Sequence, residues 1–248
     1  MKKVALITGG AKGIGKAIAL ELAKNNYDIV INYLTSKDEA FALQKQIEEE
    51  YHVNCLAIQA DVSKEEQVDR MIKEVEDKLG GVDVLINNAA IDLSNLYNQK
   101  TAEEFRRTLD VNVVGAYNCA NRVYKHMLDN KYGRIINISS TNGINTYYPM
   151  CFDYDASKAA LISLTHNLSI QFAPYVNVNA IAPGFIGTQS ELDGYDDEFL
   201  KQETEKILVN RYGKPEEVAY LVRFLISEEA NYINNSVIRI DGGQIGAY

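Results

Sequence analysis

The chain is short of cysteine, histidine and positive charge, and it has no long hydrophobic run. Its 248 residues include three cysteines, Cys55, Cys119 and Cys151, which lie far apart, cannot all pair and show no metal-ligand spacing. That excludes a disulfide framework and a cysteine-ligated metal, and it makes a reducing, cytoplasmic setting the simplest expectation. The histidines, His52, His126 and His166, are scattered and read as surface or packing residues rather than ligands or bases. Acidic residues outnumber basic ones by 34 to 25, for a net charge of −9. Bulk charge therefore argues against nucleic acid or an anionic membrane as partner. No apolar stretch approaches the roughly 20 residues of a membrane-spanning helix. The opening, Met1 to Gly9, resembles a signal peptide only in Lys2 and Lys3, because its apolar run stops at a glycine cluster.

What remains is ordinary for one large globular domain, with 46% hydrophobic and 24% charged residues. Short apolar runs rich in β-branched residues alternate with segments of helical period. Strands are expected at Val4–Ile7, Asp28–Tyr33, Val53–Ala60, Val82–Ile86, Arg134–Ile138, Val176–Ile181 and Val237–Ile240. Between them, helices are expected after the first glycine cluster (Ile14, Ala17, Ile18 and Leu22 forming the stripe), at Asp38–Tyr51 and at Lys64–Leu79. A long, bent helical stretch follows at Thr101–Asp129, and Tyr154 opens another helix that runs to Phe172. Gln189–Arg211 is a polar excursion, and Pro215 starts a helix where its missing N–H costs nothing. No linker, repeat or low-complexity tract interrupts residues 1–248. Such alternation predicts an α/β fold: a single-domain, seven-stranded, doubly wound parallel sheet of the Rossmann type. Ligands then bind at the carboxyl ends of the strands.

Several motifs fall at those ends. Thr8-Gly9-Gly10-Ala11-Lys12-Gly13-Ile14-Gly15 joins the first strand to the first helix. Glycines there let the backbone approach a pyrophosphate, and the helix N-terminus offers free N–H groups and a positive dipole end. Taken alone, a glycine-rich turn is as readily a mere turn. The second strand ends Ile31-Asn32-Tyr33-Leu34-Thr35-Ser36, without the acid that usually binds ribose hydroxyls, while Asp28 lies at the wrong end and Asp38 comes too late. Lys12, helped by Lys37, is placed to meet a 2′-phosphate, unless it is only a solvated surface lysine. The expected cofactor is therefore NADP(H). Asp61, followed by Val62, is either an acceptor for the adenine amino group or a helix cap near Ser63. After the fourth strand, Asn87-Asn88-Ala89-Ala90 offers small residues over which an adenosine ribose can pass.

In the helix that Tyr154 opens, Tyr154 and Lys158 lie four residues apart, hence on one face and about 5–6 Å apart at Cβ. A cation beside a phenol favours the phenolate and is expected to lower its pKa from about 10, giving a proton donor and acceptor near neutral pH.

With these residues assembled, the chain resembles the short-chain dehydrogenase/reductase family from end to end. The resemblance rests on Thr8–Gly15, Asp61-Val62, Asn87-Asn88-Ala89, Asn112-Val113-Val114-Gly115, Ile138-Ser139-Ser140, Tyr154–Lys158 and Pro183-Gly184-Phe185-Ile186-Gly187-Thr188, in the family's order. It implies that Tyr154 protonates a substrate carbonyl and that Ser140, rather than Ser139, holds that oxygen. Lys158 would tune the tyrosine and bind the nicotinamide ribose. Asn112 would hold a water leading from Lys158 to solvent, unless it only satisfies a break in the long helix. Pro183, Gly184, Ile186 and Thr188 would hold the nicotinamide carboxamide. Gly9, Lys12, Gly13, Ile14, Gly15, Asp61, Val62, Asn88 and Ala89 would hold the rest of the cofactor.

There are departures from the family pattern. Ala90 stands where glycine is usual. Ser140 and Tyr154 are 14 residues apart, one more than the commonest spacing, and the extra residue falls in the Asn145–Asp153 loop. By length and motif the chain is most similar to the β-ketoacyl-acyl-carrier-protein reductases. Yet the end of the catalytic helix, Gln171-Phe172-Ala173-Pro174-Tyr175, has no cation for an acidic carrier, leaving Lys131 and Arg134 as contacts. The excursion carries Glu191, Asp193, Asp196, Asp197 and Glu198, which would repel such a carrier. The expectation is an NADPH-dependent carbonyl reductase of 3-oxoacyl thioesters. The alternatives are a reductase or dehydrogenase of a small ketone, sugar or polyol, and a non-catalytic nucleotide-binding regulator. Tyr147, Tyr148, Met150, Cys151 and Phe152 either line an apolar pocket or pack beneath their loop. The family habit also implies a homotetramer, through the Thr101–Asp129 and Ala156–Phe172 helices and the tail Asp241–Tyr248.

Overall fold

The structure is a computed structural model that describes residues 2–194 and 196–245. Seven strands form one parallel sheet: β1 (Val4–Ile7), β2 (Asp28–Tyr33), β3 (Cys55–Gln59), β4 (Val84–Asn87), β5 (Gly133–Ile138), β6 (Val176–Pro183) and β7 (Val237–Ile240). Their order is β3-β2-β1-β4-β5-β6-β7, so the chain reverses direction across the sheet between β1 and β4. In such a sheet the crevice at that reversal is where ligands bind.

Helices cover both faces. On one side lie α1 (Gly13–Lys24), α2 (Lys37–Tyr51) and α9 (Pro215–Ile226); on the other lie α3 (Glu65–Leu79), α5 (Gly115–Asp129) and α6 (Phe152–Phe172). Side chains alternate between the layers along each strand. Ala5 and Ile7 of β1 pack towards the first layer, and Val4 and Leu6 towards the second. Burial on both faces explains why β1 and β4 read as unbroken apolar runs rather than alternating ones.

Three expectations change in detail. The Thr101–Asp129 stretch is two helices, α4 (Ala102–Leu109) and α5, joined by a π-helical turn at Asp110–Val114. Thr101 does not begin the helix but caps it. Its Oγ1 accepts the Glu104 N–H at 3.1 Å, while Glu104 Oε2 accepts the Thr101 N–H at 2.7 Å. The Tyr154 helix starts earlier, at Phe152. The 189–211 excursion contains two helices, α7 (Gln189–Asp193) and α8 (Asp197–Glu205), capped by Thr188 and Asp196. Of the expected interface tail, Gly246, Ala247 and Tyr248 lie outside the described residues. No helix among the described residues is long and apolar enough to cross a membrane.

The first turn of α6 is fixed by a buried ion pair. Asp153 Oδ2 accepts from Lys100 Nζ at 2.9 Å and from Thr108 Oγ1 at 2.7 Å, and the pair is almost wholly shielded from solvent. Lys100 also donates to the Leu93 carbonyl. This joins the segment after β4, α4 and the start of α6. Removing one partner of a buried pair strands the other charge. Lys100→Met is expected to lower unfolding free energy by about 3–5 kcal/mol, read from urea melts. A loss below about 1 kcal/mol, the value of an exposed pair, would show that the anchor is unimportant.

Candidate active site

Ser140, Tyr154 and Lys158 converge where β5 ends. Lys158 is buried and its Nζ donates to the Ile138 carbonyl at 2.8 Å. The same ammonium lies 5.2 Å from the Tyr154 ring centroid, as a one-turn separation on α6 requires. Ser139 Oγ donates to the Lys158 carbonyl at 2.9 Å, so the first serine clamps the helix to the strand and the second is left to face Tyr154.

The direction of the tyrosine shift reverses the expectation. Tyr154 is pushed up, chiefly because burial disfavours the phenolate, then by the negative charge of Asp92, with smaller effects from Glu191 and Cys151. Of the causes acting on it, hydrogen bonding with Ser140 alone works the other way. Lys158 is itself lowered to about 8 by burial, so desolvation, which residue spacing does not reveal, acts on both partners. In the free protein the tyrosine is a proton-loaded acid, not a phenolate.

At the sheet's reversal, the turn after β1 is stitched to the segment after β4. Thr8 Oγ1 accepts the N–H groups of Asn88 and Ala89 at 2.9 and 3.0 Å. Asn88 Nδ2 donates to the carbonyls of Thr8 and Gly9 at 2.9 and 3.1 Å. A Cβ on Gly15 would sit 2.4 Å from the Gly9 carbonyl oxygen, so this packing admits no larger residue. Ile14 packs half-buried on the core beneath the turn. Beside it runs an open groove of ≈ 300 Å³ bordered by Gly9, Lys12, Leu34, Asp61, Val62 and Ala89. Glycine backbone, a helix N-terminus and polar strand ends suit a dinucleotide. Among the described residues no cluster could hold a metal ion.

Two groove residues are engaged in ways the sequence did not indicate. Lys12 Nζ lies 2.6 Å from Glu39 Oε1, an acid supplied not by the end of β2 but by the first turn of α2. Asp61 does not cap a helix. Its Oδ1 accepts from the Ser63 N–H and hydroxyl at 3.0 and 2.7 Å, and its Oδ2 from Arg107 Nη2 at 3.1 Å. Ala90 is exposed and avoids the left-handed region, so its methyl group is accommodated.

Asn112 sits in the π-helical turn with its amide committed. Nδ2 donates to the Ile91 carbonyl and to Ser157 Oγ, each at 2.9 Å, and Oδ1 accepts the Ile91 N–H at 2.8 Å. The side chain thus ties the segment after β4 to α6, a contact that neither of its two sequence readings named. Pro183 ends β6, Gly184 packs against Asp241 and Gln244, and Ile186 bridges Gly213. Thr188 lies over the glycine turn, its Cγ2 only 3.3 Å from where a Cβ on Gly13 would be. Above, Tyr148 donates to Glu203 Oε2 of α8 at 2.8 Å, and Phe185 meets Tyr148, Phe199 and Tyr212 edge-on or tilted. Of the aromatic loop before Tyr154, Tyr148 therefore packs under the excursion, Phe152 packs instead on Tyr97 and Phe105, and Tyr147 and Met150 are exposed.

A family model described as Enoyl-(Acyl carrier protein) reductase matches residues 9–244. The chain is 39% identical over 244 residues to the 3-oxoacyl-[acyl-carrier-protein] reductase FabG of Staphylococcus epidermidis, covering 98% of this chain and 99% of that one. It is 34% identical to glucose 1-dehydrogenase 2 of Bacillus subtilis, covering 97% and 94%. The structure of ElxO with NADP bound superposes with a TM-score of 0.89 at 35% identity, covering 98% of each chain.

The lowered Lys158 has a thermodynamic consequence. Between about 8 and its ordinary 10.5 the unfolded chain binds a proton that the folded chain does not. Stability from this residue therefore rises with pH across that window. Relative to Lys158→Met, the wild type is expected to gain about 2–3 kcal/mol between pH 7.5 and 10.5, read from paired urea melts. An equal pH dependence in both proteins would contradict the burial of the charge.

Proposed function

The chain belongs to the short-chain dehydrogenase/reductase family, and from that premise we propose that it is an NADPH-dependent carbonyl reductase acting on a 3-oxoacyl thioester. The observation that carries the reading is the convergence of Ser140, Tyr154 and Lys158 at the end of β5, beside a groove suited to a dinucleotide.

When bound, the cofactor supplies the hydride. Tyr154, held protonated, gives its proton to the carbonyl oxygen as negative charge develops there. Ser140 donates a hydrogen bond to the same oxygen. Lys158 holds a positive charge beneath the tyrosine and offers its ammonium to the nicotinamide ribose. Asn112 keeps that helix in register with the segment after β4. Gly9, Gly13, Ile14, Gly15, Asp61, Val62, Asn88 and Ala89 hold the adenosine and pyrophosphate. Pro183, Gly184, Ile186 and Thr188 hold the carboxamide. Lys12 meets the 2′-phosphate once it leaves Glu39.

The 3-oxoacyl substrate is supported by the Staphylococcus epidermidis relative. A small ketone, sugar or polyol is the second reading. It is favoured by the negative charge of Asp92 and Glu191 at the catalytic tyrosine, which suits a hydroxylated substrate better than an anionic carrier, and by the glucose dehydrogenase relative. A homotetramer is part of the same proposal, and four chains by light scattering is the expected mass.

Oxidation of NADPH by acetoacetyl-CoA tests the chemistry. Tyr154→Phe is expected to lower kcat by roughly 100- to 10,000-fold. Turnover of sugars or acetoin but not the thioester would favour the second reading, and no turnover of any carbonyl would leave a nucleotide-binding regulator. A charge-assisted contact of Lys12 with phosphate predicts that Lys12→Ala lowers kcat/KM for NADPH by about tenfold or more while sparing NADH. Equal use of NADPH and NADH by the wild type would overturn the cofactor assignment.

A further inference from the structure

Next to Tyr154, a short chain of hydrogen bonds determines where the Ser140 proton points. Asp155 Oδ1 accepts from Asn142 Nδ2 at 2.7 Å. Asn142 Oδ1 in turn accepts from Ser140 Oγ at 3.2 Å, and Ser140 Oγ accepts the Asn142 backbone N–H at 3.1 Å. The directions are forced by chemistry. An ionised carboxylate only accepts, so it takes the NH₂ end of the amide and turns the oxygen towards Ser140. Ser140 has one proton, and that oxygen claims it. The resting serine therefore shows lone pairs to the substrate side, although the proposed reduction needs it as a donor.

We propose that Asp155, acting through the Asn142 amide, is a positioning residue that sets the direction of the Ser140 hydroxyl proton and so gates its use by the substrate oxygen. A protonated Asp155 is a donor and satisfies Asn142 Oδ1. The amide then turns its NH₂ to Ser140, which already has lone pairs to receive it, and the serine proton is released to the carbonyl oxygen. No bond other than hydrogen bonds changes.

The environment of Asp155 places this switch within reach of ordinary conditions. It is buried and raised to about 6, chiefly by desolvation. Asn142 and the Tyr148 backbone N–H hold it down from the loop, while Asp92 from the segment after β4 and Asp153 from its own helix push it up. Lys100 is paired with Asp153, not with Asp155.

This inference rests on Ser140 serving as the carbonyl donor, so it is tested with and without turnover. In wild type, kcat for reduction of acetoacetyl-CoA, or of the best ketone found, is expected to rise about three- to tenfold as pH falls through about 6, the worth of one neutral hydrogen bond. Asp155→Asn should remove that step and hold kcat near the acid plateau at pH 7.5, with KM little changed. Asn142→Ala should remove the step as well and serves if Asp155→Asn does not fold. A step that persists in either folded variant, or none in wild type, overturns the proposal. Independently of turnover, NMR should show the Asn142 side-chain amide shifting with the Asp155 carboxyl titration. An amide silent through that titration overturns the relay even if the enzyme is active. Absence of any carbonyl turnover, with the amide responding, defeats the functional reading and leaves the relay standing.

Discussion

One ammonium fixes the geometry of this site. Lys158 donates to the Ile138 carbonyl at the end of β5, and Ser139 closes the same contact by donating to the Lys158 carbonyl. A buried charge needs such a partner, since the cost of desolvation is otherwise unmet. Once Lys158 is pinned to the strand, helical pitch decides where Tyr154 stands, and the turn after Ser139 decides where Ser140 stands. Strand, serine pair and helix can therefore shift only together. The buried Lys100–Asp153 pair holds the next turn of the same helix, and Asn112 holds Ser157. Helix α6 is tied by polar contacts at Asp153, Ser157 and Lys158, where apolar packing alone would leave it free to slide.

The carboxyl ends of β1 and β4 pose a different problem. Parallel strands end there with backbone groups unpaired, close to where a ligand must enter. Thr8 and Asn88 satisfy those groups across the reversal, and Asn32 donates to the Ala60 carbonyl at 3.0 Å behind them. The groove is thus lined by backbone already fixed in place, so little ordering remains to be done when a dinucleotide binds. Lys12 and Glu39 are the exception. Both are largely exposed, and their pair is of the kind that water screens.

What could be read from the sequence follows from how local each feature is. Strands buried on both faces announce themselves by composition, and the Tyr154–Lys158 spacing fixes a shared helical face. The π-helical turn at Asp110–Val114 left only a hint, a stretch too long for one straight helix. Glu39 was invisible to a rule about strand ends because it acts from the first turn of the following helix. The sign at Tyr154 was missed for a physical reason. Sequence spacing shows the neighbouring cation, but only the folded structure shows that burial removes water from both groups. Asn142 and Asp155 had no signature at all, since their importance lies in a hydrogen bond spanning 13 residues of chain.

Burial at Tyr154 and burial at Lys158 also work in concert. Desolvation raises an acid and lowers a base, so in the free protein both groups lean towards their neutral forms. On the proposed roles, a protonated tyrosine is the form that reduction consumes, whereas oxidation needs a phenolate stabilised by the ammonium below it. The carboxylates of Asp92 and Glu191 press the same way, because a second negative charge at the phenol is disfavoured beside them. On those proposed roles the resting ionisation favours proton donation, and a substrate that brings no negative charge of its own leaves that bias intact.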